Sequence, residues 1–175
     1  MKLTEERVKG DASMAKEYRA LMSKPELCTS CQRCALWCSL SHFGEMNKSR
    51  SKVFVIRREP AVDVPVTCIQ CGVCISACPS EALSRSSSTG AVVVDEELCS
   101  GCGTCVVACP YGVMQIDPVT MLAHKCDLCD GAPECVKHCP HGAILFEKVS
   151  RVGLSRRELA ARAESSHVRS RLATS

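Results

Sequence analysis

Sixteen of the 175 residues are cysteine, and they fall into four groups of four. The first is Cys28, Cys31, Cys34 and Cys38, and the second is Cys68, Cys71, Cys74 and Cys78. Cys99, Cys102, Cys105 and Cys109 form the third, and Cys126, Cys129, Cys135 and Cys139 the fourth. The first three share the spacing C-x2-C-x2-C-x3-C, and the fourth is C-x2-C-x5-C-x3-C. Three thiols at two-residue intervals wrap a tight loop around one face of whatever they hold. A fourth thiol, four residues on, starts a helical turn and points away from that loop. In the last three groups proline follows at once, as Pro79, Pro110 and Pro140. Its fixed φ and missing N–H redirect the chain there.

Cysteines at such matched intervals are not core filler. A disulfide scaffold belongs to a secreted chain, and Met1 to Gly10 is charged, without the apolar segment of a signal peptide. Structural zinc closes a tetrahedron with four ligands, which leaves the third cysteine of each run crowded and idle. A cube of four irons and four sulfides takes one thiolate at each of four corners, and C-x2-C-x2-C-x3-C-P is the bacterial ferredoxin run that binds it. In that pattern the fourth cysteine ligates the other cluster of a pair, so one helical turn bridges two clusters roughly 10–12 Å apart. Four [4Fe-4S] clusters are therefore expected.

Aromatic residues make up 3% of the chain: Tyr18, Trp37, Phe43, Phe54, Tyr111 and Phe146. Clusters are expected to replace the missing bulk, so that the cluster-free chain is largely unfolded. The formal charge of +3 counts cysteines as neutral. Each oxidised cube with its thiolates carries about −2, which brings the loaded chain to about −5. Nucleic-acid binding is not expected. No run of 18 apolar residues is present, so no membrane span is expected, and oxidisable clusters point to a reducing cytoplasm.

The expected class is α+β: tandem ferredoxin-like, two two-cluster modules of short strands and helices, one nested in the other. Residues 1–27 read as a helical segment, capped by Ser13, with Met14, Tyr18, Leu21 and Met22 as its apolar stripe. Residues 28–147 read as the four-cluster domain, with an inner module at 66–117 and an outer module at 28–65 plus 118–147. Strands are predicted at Ala91–Asp95, within Tyr111–Ile116, and at Lys52–Arg57. The last lies in a thirty-residue insert that reads either as a partner contact or as a covering loop. Residues 148–175 read as a basic tail, with a capping box at Ser155-Arg156-Arg157-Glu158 that starts a short helix.

For the inner module the ferredoxin pattern joins Cys68, Cys71 and Cys74 to Cys109, and Cys99, Cys102 and Cys105 to Cys78. For the outer module nesting joins Cys28, Cys31 and Cys34 to Cys139, and Cys126, Cys129 and Cys135 to Cys38. The alternative is sequential pairing, first group with second and third with fourth. The long interval between Cys38 and Cys68 favours nesting. The five histidines are expected to be structural, with His138 and His141 placed to adjust the potential near Cys139.

The four groups, in this order from Cys28 to about Glu147, resemble the iron–sulfur subunits of the dimethyl sulfoxide reductase type. The all-cysteine ligand set implies four cubanes rather than a three-iron variant. The compact Cys71-Gly72-Val73-Cys74 makes the chain similar to the small subunits of tungsten aldehyde oxidoreductases and tungsten benzoyl-CoA reductases. The resemblance implies a non-catalytic electron-transfer subunit. Its partners would be a larger tungsten- or molybdenum-pterin catalytic subunit, and ferredoxin, a flavin subunit or further copies of itself. No nucleotide fingerprint or catalytic constellation competes with this reading. A free polyferredoxin shuttle and a redox sensor are the other classes considered.

Overall fold

A computed structural model describes residues 18–58 and 62–149. The elements are short, as expected of a chain built around its thiols. Strand β1 (Arg19–Ser23) leads to a 3₁₀ turn (Pro25–Leu27) and helix α1 (Arg33–Phe43). A second 3₁₀ turn (Lys48–Arg50) precedes the hairpin β2 (Phe54–Arg58) and β3 (Val62–Val66). Then come α2 (Val73–Ala77), β4 (Leu83–Arg85), β5 (Val92–Val94), α3 (Thr104–Ala108), β6 (Gln115–Ile116) and β7 (Ala123–His124). A strained turn (Leu128–Gly131), α4 (Glu134–Lys137) and β8 (Ile144–Lys148) complete the order.

All four sheets are two-stranded and antiparallel: β1 with β8, β2 with β3, β4 with β5, and β6 with β7. The β1–β8 ladder closes the described chain on itself, with Leu21 opposite Phe146 and Ser23 opposite Ile144. It is extended by the bond from Lys24 N–H to the Ala143 carbonyl at 2.8 Å. Cys28 and Cys139 therefore leave the same ladder from facing strands. Helix α1 packs on α4, and α2 packs on α3.

The helix expected before Cys28 is not what forms at its C-terminal end. Leu21 and Met22 lie on a strand, and Ser13 and Met14 fall outside the described residues. The reason is burial on both faces. Leu21 joins the main core with Val53, Leu128 and Ile144, while Ala20 and Met22 pack on the other side against Leu145. A strand covered on both sides shows no alternation, and its ladder partner lies more than a hundred residues away. The strand expected at 91–95 is β5, and the one within 111–116 is the two-residue β6. The helix expected from Arg156 lies outside the described residues.

The insert after Cys38 packs against the cysteine loops and the β6–β7 turn. Arg50 turns inward and grips Asp117 with two bonds, Nε to Oδ1 at 2.9 Å and NH2 to Oδ2 at 2.5 Å. Its guanidinium also lies 3.9 Å from the centre of the Phe43 ring. Asp117 is 1% exposed and in turn accepts from Val119 N–H and Thr120 Oγ1, so one carboxylate fixes both the insert and the β6–β7 turn. The β2–β3 hairpin that follows lays Val55 and Pro65 over the first cysteine group.

Candidate metal centres

Each of the first three cysteine loops carries left-handed residues on both sides of its second cysteine. They are Ser30 and Gln32, Gln70 and Gly72, and Gly101 and Gly103, with φ between 56° and 88°. Such alternation curls the chain and turns successive N–H groups toward one concave side, a natural seat for an anion. Helices α1, α2 and α3 then start at once, on Gln32, Gly72 and Gly103. The fourth loop differs. Leu128, Cys129 and Asp130 are all left-handed without being glycine, with φ of 65°, 47° and 50°. The longer C-x5-C interval is spent on that strained turn.

The loops gather the thiols into sets of three plus one. Cys28, Cys31, Cys34 and Cys139 line one cavity. Cys68, Cys71, Cys74 and Cys109 line a second, and Cys99, Cys102, Cys105 and Cys78 a third. Cys126, Cys129, Cys135 and Cys38 form the fourth set. The Cys135 thiol there is pushed far up by burial and by Cys126, Cys38 and Cys129 beside it. Charge is felt between neighbouring sets in one order. Cys34 of the first acts on Cys135, Cys68 on Cys126, and Cys74 on Cys105. The sets thus run in a row: first group, fourth, second, third.

The chemistry of these donors fits iron–sulfur cubes. Burial pushes the Cys34 thiol up to about 11 and Cys126 up to about 12. A buried thiol among thiols gives up its proton only to a metal. Backbone N–H groups already face sulfur at Cys38 (from Lys52), Cys68 (from Gln70) and Cys99 (from Ala123), each at 3.4 Å. Ala143 N–H reaches Cys139 at 3.2 Å. Ser80 and Thr104 hydroxyls lie 3.5 and 3.4 Å from the sulfurs of Cys78 and Cys102, and they lower both thiols. Such bonds stabilise negative sulfur and adjust a cluster's potential.

The histidines divide. His141 lines the first cavity. His138 instead stacks on Trp37 at 3.6 Å and pairs with Glu134 at 3.3 Å. His124 is buried edge-on to Phe43, and among the described residues neither ring nitrogen has a hydrogen-bond partner. His42 is tied to a carboxylate. It bonds Asp127 at 3.0 Å, which with Cys129 and Cys38 pushes its pKa well above the usual value. Lys52 Nζ meets the same Asp127 carboxylate at 2.7 Å. Burial raises the Asp127 carboxyl, but His42 and Lys52 outweigh it and hold it far below the usual range. This polar group faces a groove of about 540 Å³ beside Cys129. Sequence spacing could not find it, because His42 and Asp127 are 85 residues apart. The one available signal was a histidine and an aspartate each close to a cysteine run.

Residues 61–149, just over half of the chain, match the profile of a 4Fe-4S dicluster domain, and residues 27–83 match a second profile of the same description. The chain belongs to the 4Fe-4S dicluster domain family. It is an iron–sulfur, ferredoxin-like protein. It is 43% identical over 81 residues to the polyferredoxin-like subunit of an aliphatic sulfonate oxidoreductase from Pyrococcus furiosus, covering 45% of this chain and 47% of that one. To the beta subunit of an NADH-dependent phenylglyoxylate dehydrogenase from Aromatoleum evansii it is 34% identical over 119 residues, 65% of this chain and 27% of that one. The chain thus spans about half of the first relative and about a quarter of the second. Among solved structures, the BamBC complex of benzoyl-coenzyme A reductase overlaps 86% of this chain and 97% of its own. At 24% identity and a TM-score of 0.43 that likeness is too loose to bear on function.

Among the described residues no helix is long and apolar enough to cross a membrane.

Proposed function

We propose that the chain is a four-cluster relay, a non-catalytic subunit that passes electrons between a larger oxidoreductase subunit and an external carrier. The carrying observation is the grouping of sixteen thiols into four sets in a row. Each set takes three thiols from one run and one from another. That grouping supports the nested arrangement. Cys28, Cys31, Cys34 and Cys139 would hold one cube, and Cys126, Cys129, Cys135 and Cys38 the next. Cys68, Cys71, Cys74 and Cys109 would hold the third, and Cys99, Cys102, Cys105 and Cys78 the fourth. The packing of α1 on α4 and of α2 on α3 supports an outer and an inner module.

When bound, each cube supplies one reversible one-electron step. The chain's own residues do the rest. Apolar linings exclude water, and N–H and hydroxyl donors hold charge on sulfur. Three of the thiols are exposed: Cys31 and Cys102, at the two ends of the row, where electrons can enter and leave, and Cys71 in the second set. Leu98 and Val107 are exposed near the Cys102 end, and Leu27 near the Cys31 end, as apolar surface for docking.

The relatives' names support a larger oxidoreductase partner, and the resemblance of the cysteine pattern points to the tungsten- or molybdenum-pterin kind. Anaerobic affinity purification from native extract, followed by metal analysis, tests this. Co-purification of a larger subunit carrying tungsten or molybdenum is expected. Elution of the chain alone at its own size would instead make it a diffusing shuttle.

A further inference from the structure

Gln70 and Lys125 knot two thiol sets together at the middle of the row. Lys125 is only 4% exposed. Its Nζ donates to the Val92 carbonyl at 2.5 Å, the Cys126 carbonyl at 2.7 Å and Gln70 Oε1 at 2.9 Å. A neutral amine has two N–H groups, so three acceptors in reach need the three of an ammonium. All three partners are neutral, which leaves a whole positive charge buried there. Gln70, itself buried between Cys68 and Cys71, completes the knot. Its Nε2 donates to the Cys126 carbonyl at 2.9 Å, and its Oε1 accepts from Val92 N–H at 2.9 Å.

That charge is not evenly placed along the row. Lys125 lines the cavity of Cys68, Cys71, Cys74 and Cys109, and its peptide neighbour Cys126 belongs to the adjoining set. Among the described residues, the linings of the two end cavities contain no lysine or arginine. The adjoining set also faces Lys52, whose charge the Asp127 carboxylate offsets. A buried cation favours the reduced, more negative state of a cluster beside it.

We infer that the Lys125 ammonium makes the two middle cubes, one on each side of it, the first in the row to accept electrons. The row is then an electron well with lower-potential ends, able to hold two electrons between modules. Each middle cube takes one electron from a neighbouring reduced cube, itself filled by a low-potential one-electron carrier, and no proton or bond changes hands. The inference rests on the four-cube reading proposed above.

The test is an anaerobic redox titration, followed by visible absorbance and paramagnetic resonance, of the unaltered protein, Lys125→Met and Lys125→Arg. In Lys125→Met, two of the four one-electron steps should move to lower potential. At fixed ambient potential the reduced-to-oxidised ratio of those two should fall at least tenfold, ~59 mV for a one-electron couple. The other two should change less than about threefold, and Lys125→Arg should leave all four near their original values. No shift, or one shared equally by four steps, would overturn the inference. The half-reduced unaltered protein gives a second test that needs no variant. Its spectrum should show two spin-coupled neighbours, and two uncoupled end signals would refute the electron well. Iron and labile sulfide are counted on the same sample. Fewer than four cubes would defeat the four-cube reading, whereas four cubes with unmoved potentials would defeat only the role of Lys125.

Discussion

Replacing Gln70 by methionine keeps the volume of the side chain and removes its three hydrogen bonds. Val92 N–H, at a residue 0% exposed, loses its acceptor outright, and a buried orphan of this kind costs about 1–3 kcal/mol. The Lys125 ammonium falls from three acceptors to two, and a bond to a charged group is worth about 1.5–3 kcal/mol. The Cys126 carbonyl keeps Lys125 as a donor, so losing the Gln70 amide there costs only about 0.5–1.5 kcal/mol. Together these amount to about 3–7.5 kcal/mol, a large share of the ~5–15 kcal/mol by which a domain is stable. The assay is an anaerobic urea titration of the loaded protein, with cluster absorbance and far-ultraviolet circular dichroism as parallel probes. The midpoint should fall sharply in both. A loss below about 1 kcal/mol would show that the knot is solvated or slack, and the reasoning about the junction would be wrong.

Three further outcomes are expected. Changing Cys139 to serine should disturb the cube held by Cys28, Cys31 and Cys34 and spare the one held by Cys126, Cys129 and Cys135; Mössbauer spectra of the variant decide, and damage confined to the latter would refute nesting. Gly101→Ala should be far more damaging than Gly103→Ala. Both residues are left-handed, which costs a side chain about 1–2 kcal/mol, but a Cβ at Gly101 would sit 2.3 Å from the Met121 carbonyl oxygen, while Gly103 has nothing within 4 Å. Loss of iron from the Cys99–Cys105 loop in Gly101→Ala alone is the expected readout. The Arg50 guanidinium holds the Asp117 carboxyl down at about 2, below its usual 3.8, so its stabilisation is complete above pH ~4 and fades as pH falls toward 2. Asp117→Asn should therefore lose clusters faster than the unaltered protein at neutral pH, and the ratio of the two rates should shrink below pH ~4. Taking the ratio cancels the acid lability of the cubes common to both, and a pH-independent ratio would contradict the pair's role.

The cysteine intervals made the loops and their bound group legible before any coordinates, because ligand spacing is local. So were β5 and the first strand of the insert hairpin, whose valines and isoleucine stand together. What stayed hidden depends on contacts across the chain. The β1 strand mimics a helical stripe, since Ala20, Leu21 and Met22 are covered on two sides by residues near the other end. β3 carries Asp63 and Pro65, residue types uncommon inside strands; Arg57, bonded to Asp63 at 3.0 Å across the hairpin, and Ser30 satisfy the buried acid. Gln70 and Lys125 sit 55 residues apart and look in sequence like ordinary polar neighbours of cysteine. Nothing local distinguishes them from His138, which does adjoin a ligand yet turns away to stack on Trp37.

The account depends on every thiol set carrying a cube. Iron and acid-labile sulfide, measured on anaerobically purified protein with dithionite-reduced paramagnetic resonance, test that most directly. Four irons and four sulfides for each of the four sets, with interacting signals on full reduction, are expected. A colourless preparation that contains zinc, or no metal, and is silent on reduction would contradict it.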